Sequence, residues 1–482
     1  MNDTHPNDEA TIQNIRRLIW LYFGLLLLEG ALRKWVLPQL SNPLLIIRDP
    51  VVIAVYFLAI KARVFPWNKW VYALAIIAGL STAVSVLQLW PYIPPRPIAL
   101  VTGFGFRSNF LHLPLIFVMG RVLRAEDVKR IGWWVLVLLV PMSMLLVAQF
   151  RATPDSFLNR TVGGEGEMMT SALGKVRTAG TFSFVIGVVA YFALATGFLV
   201  WAALRRDVYK SWVLFAAGAA LVIGISVSGS RSAVGACAVV VASLAVVILL
   251  RPKAVGRFGQ TLVLTVVLGF IVMQTPIFKE GFNVLSTRFS EAAEGTDKSV
   301  GAGMVERVYH EFTEGIYVLS KAPFLGYGLG IGTNAGAKFL TGRQMFLLSE
   351  GEWPRIFLES GQVLGLAYVI WRCAIVVSIG LLCVRAVKAA NILPLLIFGS
   401  GFLPMLTGQF GQPTILGFAV FTLGVALAAQ KMDSTDPELS EPGDKPPVAQ
   451  PVRRIPRRSE YASRLHGTSA SGGQTNGANH HQ

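Results

Sequence analysis

Cysteine is nearly absent from this 482-residue chain. Cys237, Cys373 and Cys383 all lie inside apolar runs, so none can staple an exposed loop. No CxxC or Cys/His spacing offers a metal site either. Charge is also scarce. Only 15% of residues are charged, and 27 acidic residues face 43 basic ones, for a net charge of +16. Histidine is rarer still: His5, His466, His480 and His481 sit near the termini, which leaves His112 and His310 for the body of the chain. The segments between apolar runs contain no Asp-x-Asp and no Gly-x-Ser-x-Gly. A metal-dependent sugar-nucleotide transferase and a serine hydrolase are therefore disfavoured.

Apolar surface, in contrast, is abundant. The chain is 53% hydrophobic, its mean hydropathy is +0.55, and apolar runs of about 20 residues recur along it, the length that crosses a bilayer as a helix. These features predict an all-α polytopic membrane protein with roughly twelve transmembrane helices. The spans fall near 18–37, 43–60, 70–90, 98–120, 131–150, 180–204, 211–229, 232–250, 259–277, 361–384, 391–408 and 414–430. The polar opening "MNDTHPNDEATIQNIRR" leads into the first run without an Ala-x-Ala-like cleavage site, which predicts a retained first helix.

The basic residues explain themselves through topology. Lys61/Arg63/Lys69, Arg121/Arg124/Lys129/Arg130, Arg205/Arg206/Lys210, Arg251/Lys253/Arg257 and Arg385/Lys388 occupy every second connection, and Arg16 and Arg17 precede the first span. Positive charge collects in cytoplasmic loops, so both termini are expected inside. Nucleic-acid binding is not expected. Residues 1–17 form a short cytoplasmic N-terminus and 18–430 the membrane domain. Residues 431–482, rich in Pro, Ser, Gly and charge, form a disordered cytoplasmic tail.

The opposite face then receives three segments: "ISVSGSRSAVGA" (Ile225–Ala236), the stretch Arg151–Phe182, and one large loop at 278–358 between spans nine and ten. In the loop, Val305, Val308, Phe312, Ile316 and Leu319 recur at helical spacing until Pro323 stops the helix. The glycines Gly326, Gly328, Gly330 and Gly332 lack the Gly-Lys-Ser/Thr of a phosphate loop, so a tight turn packing the loop onto the helices is the expectation.

An arginine near the bilayer costs about 3 kcal/mol or more unless it is paired, snorkels or lines a wet cavity. Arg231, among Ser228, Gly229, Ser230 and Ser232, is accordingly either a helix-end arginine or an anion clamp. Arg177 in "KVRTAGTF", Arg307 in the loop helix, Arg48 in "IIRDP" and Arg107 in "GFRSNF" share its expected face. Arg48 has a plainer reading as an ion pair with Asp49 or a neighbour. Arg107 needs a partner or water near His112. His310, Glu350 and Glu352 are the candidate acids or bases; the alternative for each glutamate is an ion pair with Arg355 or another arginine, and for His310 a solvated helix face shared with Arg307 and Glu311.

Three stretches, "SVSGSRSAVGA", "VRTAGTF" and "R…Y…KAPFLGYGLGIG" (Arg307–Gly332), together with "FLESGQVLG" entering the tenth span, resemble the O-antigen ligase and O-antigen polymerase superfamily of bacterial envelope glycan enzymes. The resemblance covers roughly residues 18–430. It implies a metal-independent membrane glycosyltransferase, without cofactors, at the periplasmic face of the bacterial inner membrane. The donor would be an undecaprenyl-diphosphate-linked oligosaccharide. Arg231 and Arg177 would bind the diphosphate, and Arg307 would be a loop residue facing the site. A flippase and a chain-length regulator are the expected protein partners. Ligases in this group carry a histidine about nine residues before the glutamate of the Glu-x-Gly entering the tenth span. Counting back from Glu359 reaches Glu350 instead. That departure tilts the expectation towards a polymerase of repeat units, with a ligase as the alternative. A transporter or flippase of a lipid-linked anion is the alternative from another class.

Overall fold

In a computed structural model, residues 6–162, 172–205, 208–250, 274–294, 300–343 and 345–432 are described. The ninth expected span lies almost wholly outside these residues, and so does most of the tail. Among the described residues the protein is all-helical, without a β-strand.

The helices run α1 Pro6–Ala31, α2 Asp49–Lys61, α3 Lys69–Leu89, α4 Pro95–Phe106, α5 Leu115–Val122, α6 Ala125–Arg151, α7 Val185–Leu204 and α8 Ser211–Ser228. They continue as α9 Arg231–Leu250, α10 Pro276–Glu294, α11 Val300–Lys321, α12 Asn334–Thr341, α13 Glu352–Lys388, α14 Leu393–Thr407 and α15 Pro413–Ala429. Among the described residues seven helical stretches are long and apolar enough to cross a membrane: Pro38–Lys61, which includes α2, together with α3, α6, α7, α8, α9 and α13. The helices α14 and α15 are apolar but shorter.

Local chemistry sets many of the boundaries. Asn68 opens α3 by accepting hydrogen bonds from the backbone of Trp70 and Val71, both at 3.0 Å. Gly229 closes α8 in the left-handed conformation, which places Arg231 at the start of α9. The segments at α1 and α4 depart from simple spans. The first continues as a π-helical turn, Leu32–Val36, carrying Arg33 and Lys34, and the fourth breaks at a second π-helical turn, Arg107–Leu111. Both π-turns hold buried charge, in keeping with the tendency of such turns to mark functional or polar interruptions.

The centre of the bundle is α7 and α15, which are apolar on every side and mostly buried. A helix with no polar face belongs in the interior. Around them the connections sort into two ends. At one end Arg16 Nε donates to the Val122 carbonyl at 2.9 Å, Lys431 Nζ to that of Arg121 at 2.7 Å, and Tyr209 Oη to that of Lys129 at 2.6 Å. The basic connection 121–130 thus meets the start of α1, Tyr209 and Lys431 at this end. At the other end Thr178 Oγ1 donates to Val227 O at 3.2 Å and the Trp35 indole to Phe157 O at 3.0 Å. There the α8–α9 turn, the segment leading into α7 and the loop helix α10 meet, with Gly281 of α10 seated against the Ser226 backbone.

Helix α11 ends at Lys321 and is followed by Pro323, as its sequence predicts. The glycine-rich stretch beyond it packs the loop onto the bundle. Gly326, Gly328 and Gly330 have positive φ, a conformation glycine alone adopts freely. Tyr327 and Gly328 donate their backbone N–H groups to Leu358 O and Glu359 O, at 2.8 and 3.0 Å. Those carbonyls border a break inside α13 at Gly361 (φ 76°), so the loop fills the interruption in the helix.

Candidate functional site

The α8–α9 turn forms one wall of a cavity of about 130 Å³, lined by Arg177, Val185, Gly229, Ser230, Arg231, Ser232 and Arg288. Arg231 and Arg177, separated by more than fifty residues in sequence, thus share a space with a third arginine from α10. Arg288 was not among the residues its sequence context singled out. It sits in an amphipathic helix where an arginine reads as ordinary surface charge. The Nε of Arg288 is buried and has no hydrogen-bond partner among the described residues. Three guanidiniums, two serine hydroxyls and a glycine that lets backbone approach closely make a small, strongly cationic chamber. Guanidiniums match phosphate oxygens in two-pronged geometry.

Arg48 and Arg107 are elsewhere, in a buried network at the two π-turns. Arg48 pairs with Glu29 (Nε–Oε2 3.1 Å) rather than with Asp49, and Arg33 pairs with the second oxygen of Glu29 at 3.3 Å. Asp49 is shared between Arg107 (Nε–Oδ2 2.6 Å) and His112 (Nε2–Oδ1 2.9 Å), and the far side of His112 meets Tyr22 Oη at 3.2 Å. Asp49 is the partner that Arg107 needed. Glu29 and Arg33 are members of the network that sequence reading missed, although charges inside an apolar run are themselves a signal.

A second network holds α13. Both oxygens of Glu352 are engaged: Oε2 by Arg355 at 2.9 and 3.0 Å, and Oε1 by Arg372 at 2.8 Å. Arg355 also binds Glu359 at 2.7 Å and reaches Asn109 in the α4–α5 π-turn at 3.0 Å. Arg372 is fully buried, donates to Met405 O at 2.8 Å, and lies over the ring of Phe410. Glu359 accepts the Gly332 N–H at 2.8 Å and so ties the glycine-rich stretch to the same network. Glu352 is therefore an interior ion-pair residue, matching the pairing alternative for its sequence.

Glu350 is exposed, and its backbone carbonyl accepts from the Gln409 side chain. His310 is also exposed, 3.5 Å from Glu314. Neither lines the arginine cavity. Arg307 is carried on α11, but its side chain lies outside the described residues. On the same helix Glu311 accepts the Trp353 N–H at 3.0 Å and so caps the start of α13. Burial raises its carboxyl above the ordinary carboxylate range, and hydrogen bonds from the Trp353 and Glu352 backbone partly offset that rise.

Among the described residues no group of three His, Cys, Asp or Glu side chains is placed to hold a metal ion. No known protein family and no curated protein matches this chain.

Proposed function

We propose that this protein is a membrane glycosyltransferase that polymerises oligosaccharide repeat units carried on a polyprenyl diphosphate. The observation that carries the reading is the convergence of Arg177, Arg231 and Arg288 on one small cavity at the end of the bundle that also holds the large loop. In the proposed reaction the hydroxyl oxygen of an acceptor sugar attacks the anomeric carbon of the donor. The bond from that carbon to the diphosphate breaks, and the hydroxyl proton passes to a base. Negative charge grows on the leaving diphosphate, and fixed guanidiniums stabilise it in the transition state. A diphosphate leaves well enough without a metal. The reading puts this chemistry at the periplasmic face of the bacterial inner membrane, with both termini cytoplasmic. Glu350 and His310, solvent-facing and outside the arginine cavity, are the proposed candidates to take the proton from an acceptor held at its edge. Ligation of a finished glycan is less favoured because Glu350 stands where ligases carry histidine.

The test is Arg231→Ala and Arg231→Lys in the native strain, with glycan chain length read on gels and protein level matched. Loss of polymer in the Ala variant is the expected result, and polymer of normal length would overturn the clamp. Transport is the second reading, favoured by the interruptions at Gly361 and Arg107–Leu111, since transporters build sites at broken helices. A transporter lacking Arg231 would leave lipid-linked repeats trapped on the cytoplasmic side. A polymerase lacking it would let single repeats accumulate on the periplasmic side.

A further inference from the structure

The network around the two π-turns is not neutral. Its buried guanidiniums are Arg33, Arg48 and Arg107, and its carboxylates are Glu29 and Asp49. One positive charge is left over. Lys34, the residue after Arg33 in the same π-turn, is fully buried, donates to Gly180 O at 2.7 Å and adds a second positive charge when protonated. Buried charge in excess of its partners costs several kcal/mol per ion, and proteins tolerate it mainly where something else supplies the counter-charge. One donor is also left over. Arg107 uses Nε on Asp49 and Nη2 on Leu45 O (2.9 Å), while its Nη1 is buried with no hydrogen-bond partner among the described residues. The hydroxyl of the adjacent Ser108 is in the same condition.

The network is flanked by a strap of short helical turns, residues 37–47, at the opening of the Pro38–Lys61 stretch (Pro38–Leu40 and Ser41–Leu44), and the arginines themselves hold it. Arg33 Nε donates to Ser41 O at 2.9 Å, and Arg107 Nη2 donates to Leu45 O. The outer residues of the strap, Leu37, Leu40 and Ile46, are exposed and apolar. An anion that took these two donors would release the strap. The network also adjoins the arginine cavity. Arg33 donates to Ser183 Oγ at 3.3 Å, and Val185, two residues on, lines the cavity. Two residues of chain span at most about 7 Å.

We propose that Arg33, Lys34, Arg48 and Arg107 form a second anion site, beneath the strap, that takes a phosphate or diphosphate headgroup. A doubly substituted diphosphate carries two negative charges, which matches the surplus left by the network when Lys34 is protonated. Placed next to the cavity, the site lets the protein hold two phosphorylated molecules at once, one donating and one accepting. This assignment rests on the proposed function for its source, but the anion chemistry stands on the charge count and the orphaned donor.

The test is calorimetric titration of purified, detergent-solubilised full-length protein with inorganic pyrophosphate. Wild type is expected to bind two equivalents, Arg231→Ala one, and Arg231→Ala/Arg107→Lys none in the same range. Lys at 107 retains the charge facing Asp49 but removes the free N–H, weakening the second site on the order of tenfold or more. A wild-type stoichiometry of one that Arg231→Ala abolishes overturns the second site and leaves the cavity reading intact. A stoichiometry of one that survives Arg231→Ala and weakens with Arg107→Lys sinks the cavity reading instead. Hydrogen exchange gives a check that does not depend on how the Arg107 variant folds: pyrophosphate should speed exchange of residues 37–47 in Arg231→Ala, and unchanged exchange contradicts the proposal. Geranylgeranyl diphosphate distinguishes the sources. Binding at the second site at least tenfold tighter than pyrophosphate marks a lipid-borne ligand, and equal binding marks free phosphate.

Discussion

Replacing Glu352 by glutamine separates a reacting group from a structural one. The carboxylate accepts two hydrogen bonds from Arg355 and one from Arg372, and the Phe410 backbone N–H approaches at 3.3 Å. Neither Arg355 nor Arg372 is appreciably exposed. Glutamine keeps the shape and one acceptor oxygen but removes the charge. Fully buried Arg372 then loses its ion-pair partner, while Arg355 keeps Glu359 at 2.7 Å. Breaking one side of a buried pair costs about 3–5 kcal/mol, most of it the uncompensated charge left behind. The retained hydrogen bonds and the second partner of Arg355 bring the expectation for Glu352→Gln to about 3 kcal/mol, at the lower edge of that range. Unfolding in detergent micelles titrated with SDS measures it. Replacing Arg372 by methionine in the same background should recover part of the loss, with a coupling of about 2 kcal/mol in the double-mutant cycle. Activity should fall only in step with folded protein. A Glu352→Gln variant of wild-type stability with no activity would refute this reasoning and make Glu352 a reacting group.

Other outcomes follow from neighbouring features. Arg288→Ala should weaken diphosphate binding by about tenfold to a hundredfold, the worth of one or two charge-assisted hydrogen bonds, as read by pyrophosphate titration; unchanged binding would remove α10 from the site. Gly330→Ala should destabilise the packed loop by about 1–3 kcal/mol or more, because φ is 93° there and an added methyl would collide with the Val101 carbonyl; limited proteolysis after Lys321 reports it. Glu311 gives a pH dependence of definite sign. Its folded pKa is raised, so the native state binds more protons than the unfolded one above the ordinary carboxylate pKa, and docking of α11 weakens as pH rises through that window. Hydrogen exchange of α11 should therefore quicken by more than the intrinsic base-catalysed rise as pH climbs above the ordinary carboxylate value, and Glu311→Gln should remove that excess.

Much of this architecture was written in local sequence. Apolar runs located most of the described helices, and contacts at Arg16, Lys129 and Lys431 bring the 121–130 connection beside the start of α1, the 208–210 segment and the end of α15. Pro323 stopped α11, and Arg231 stood out because a bilayer tolerates few charges. The meeting of Arg177 with Arg231 followed from placing both at the same end. What stayed hidden depends on long-range pairing. Arg48 chose Glu29 over its neighbour Asp49, and Asp49 served Arg107 and His112 across some sixty residues. Arg288 looked like any exposed helical arginine. The break at Gly361 was invisible because a glycine in an apolar run is usually tolerated within a helix, and here the carbonyls around it bond to a loop more than thirty residues earlier.

The central claim is tested most directly with purified protein and a lipid-diphosphate-linked repeat unit, in detergent with a metal chelator present. Wild type should release free lipid diphosphate and build a ladder of two, three and more repeats, and Arg231→Ala should do neither while remaining folded. A ladder of equal length from the Arg231→Ala protein, or no transfer by folded wild type, would contradict the account.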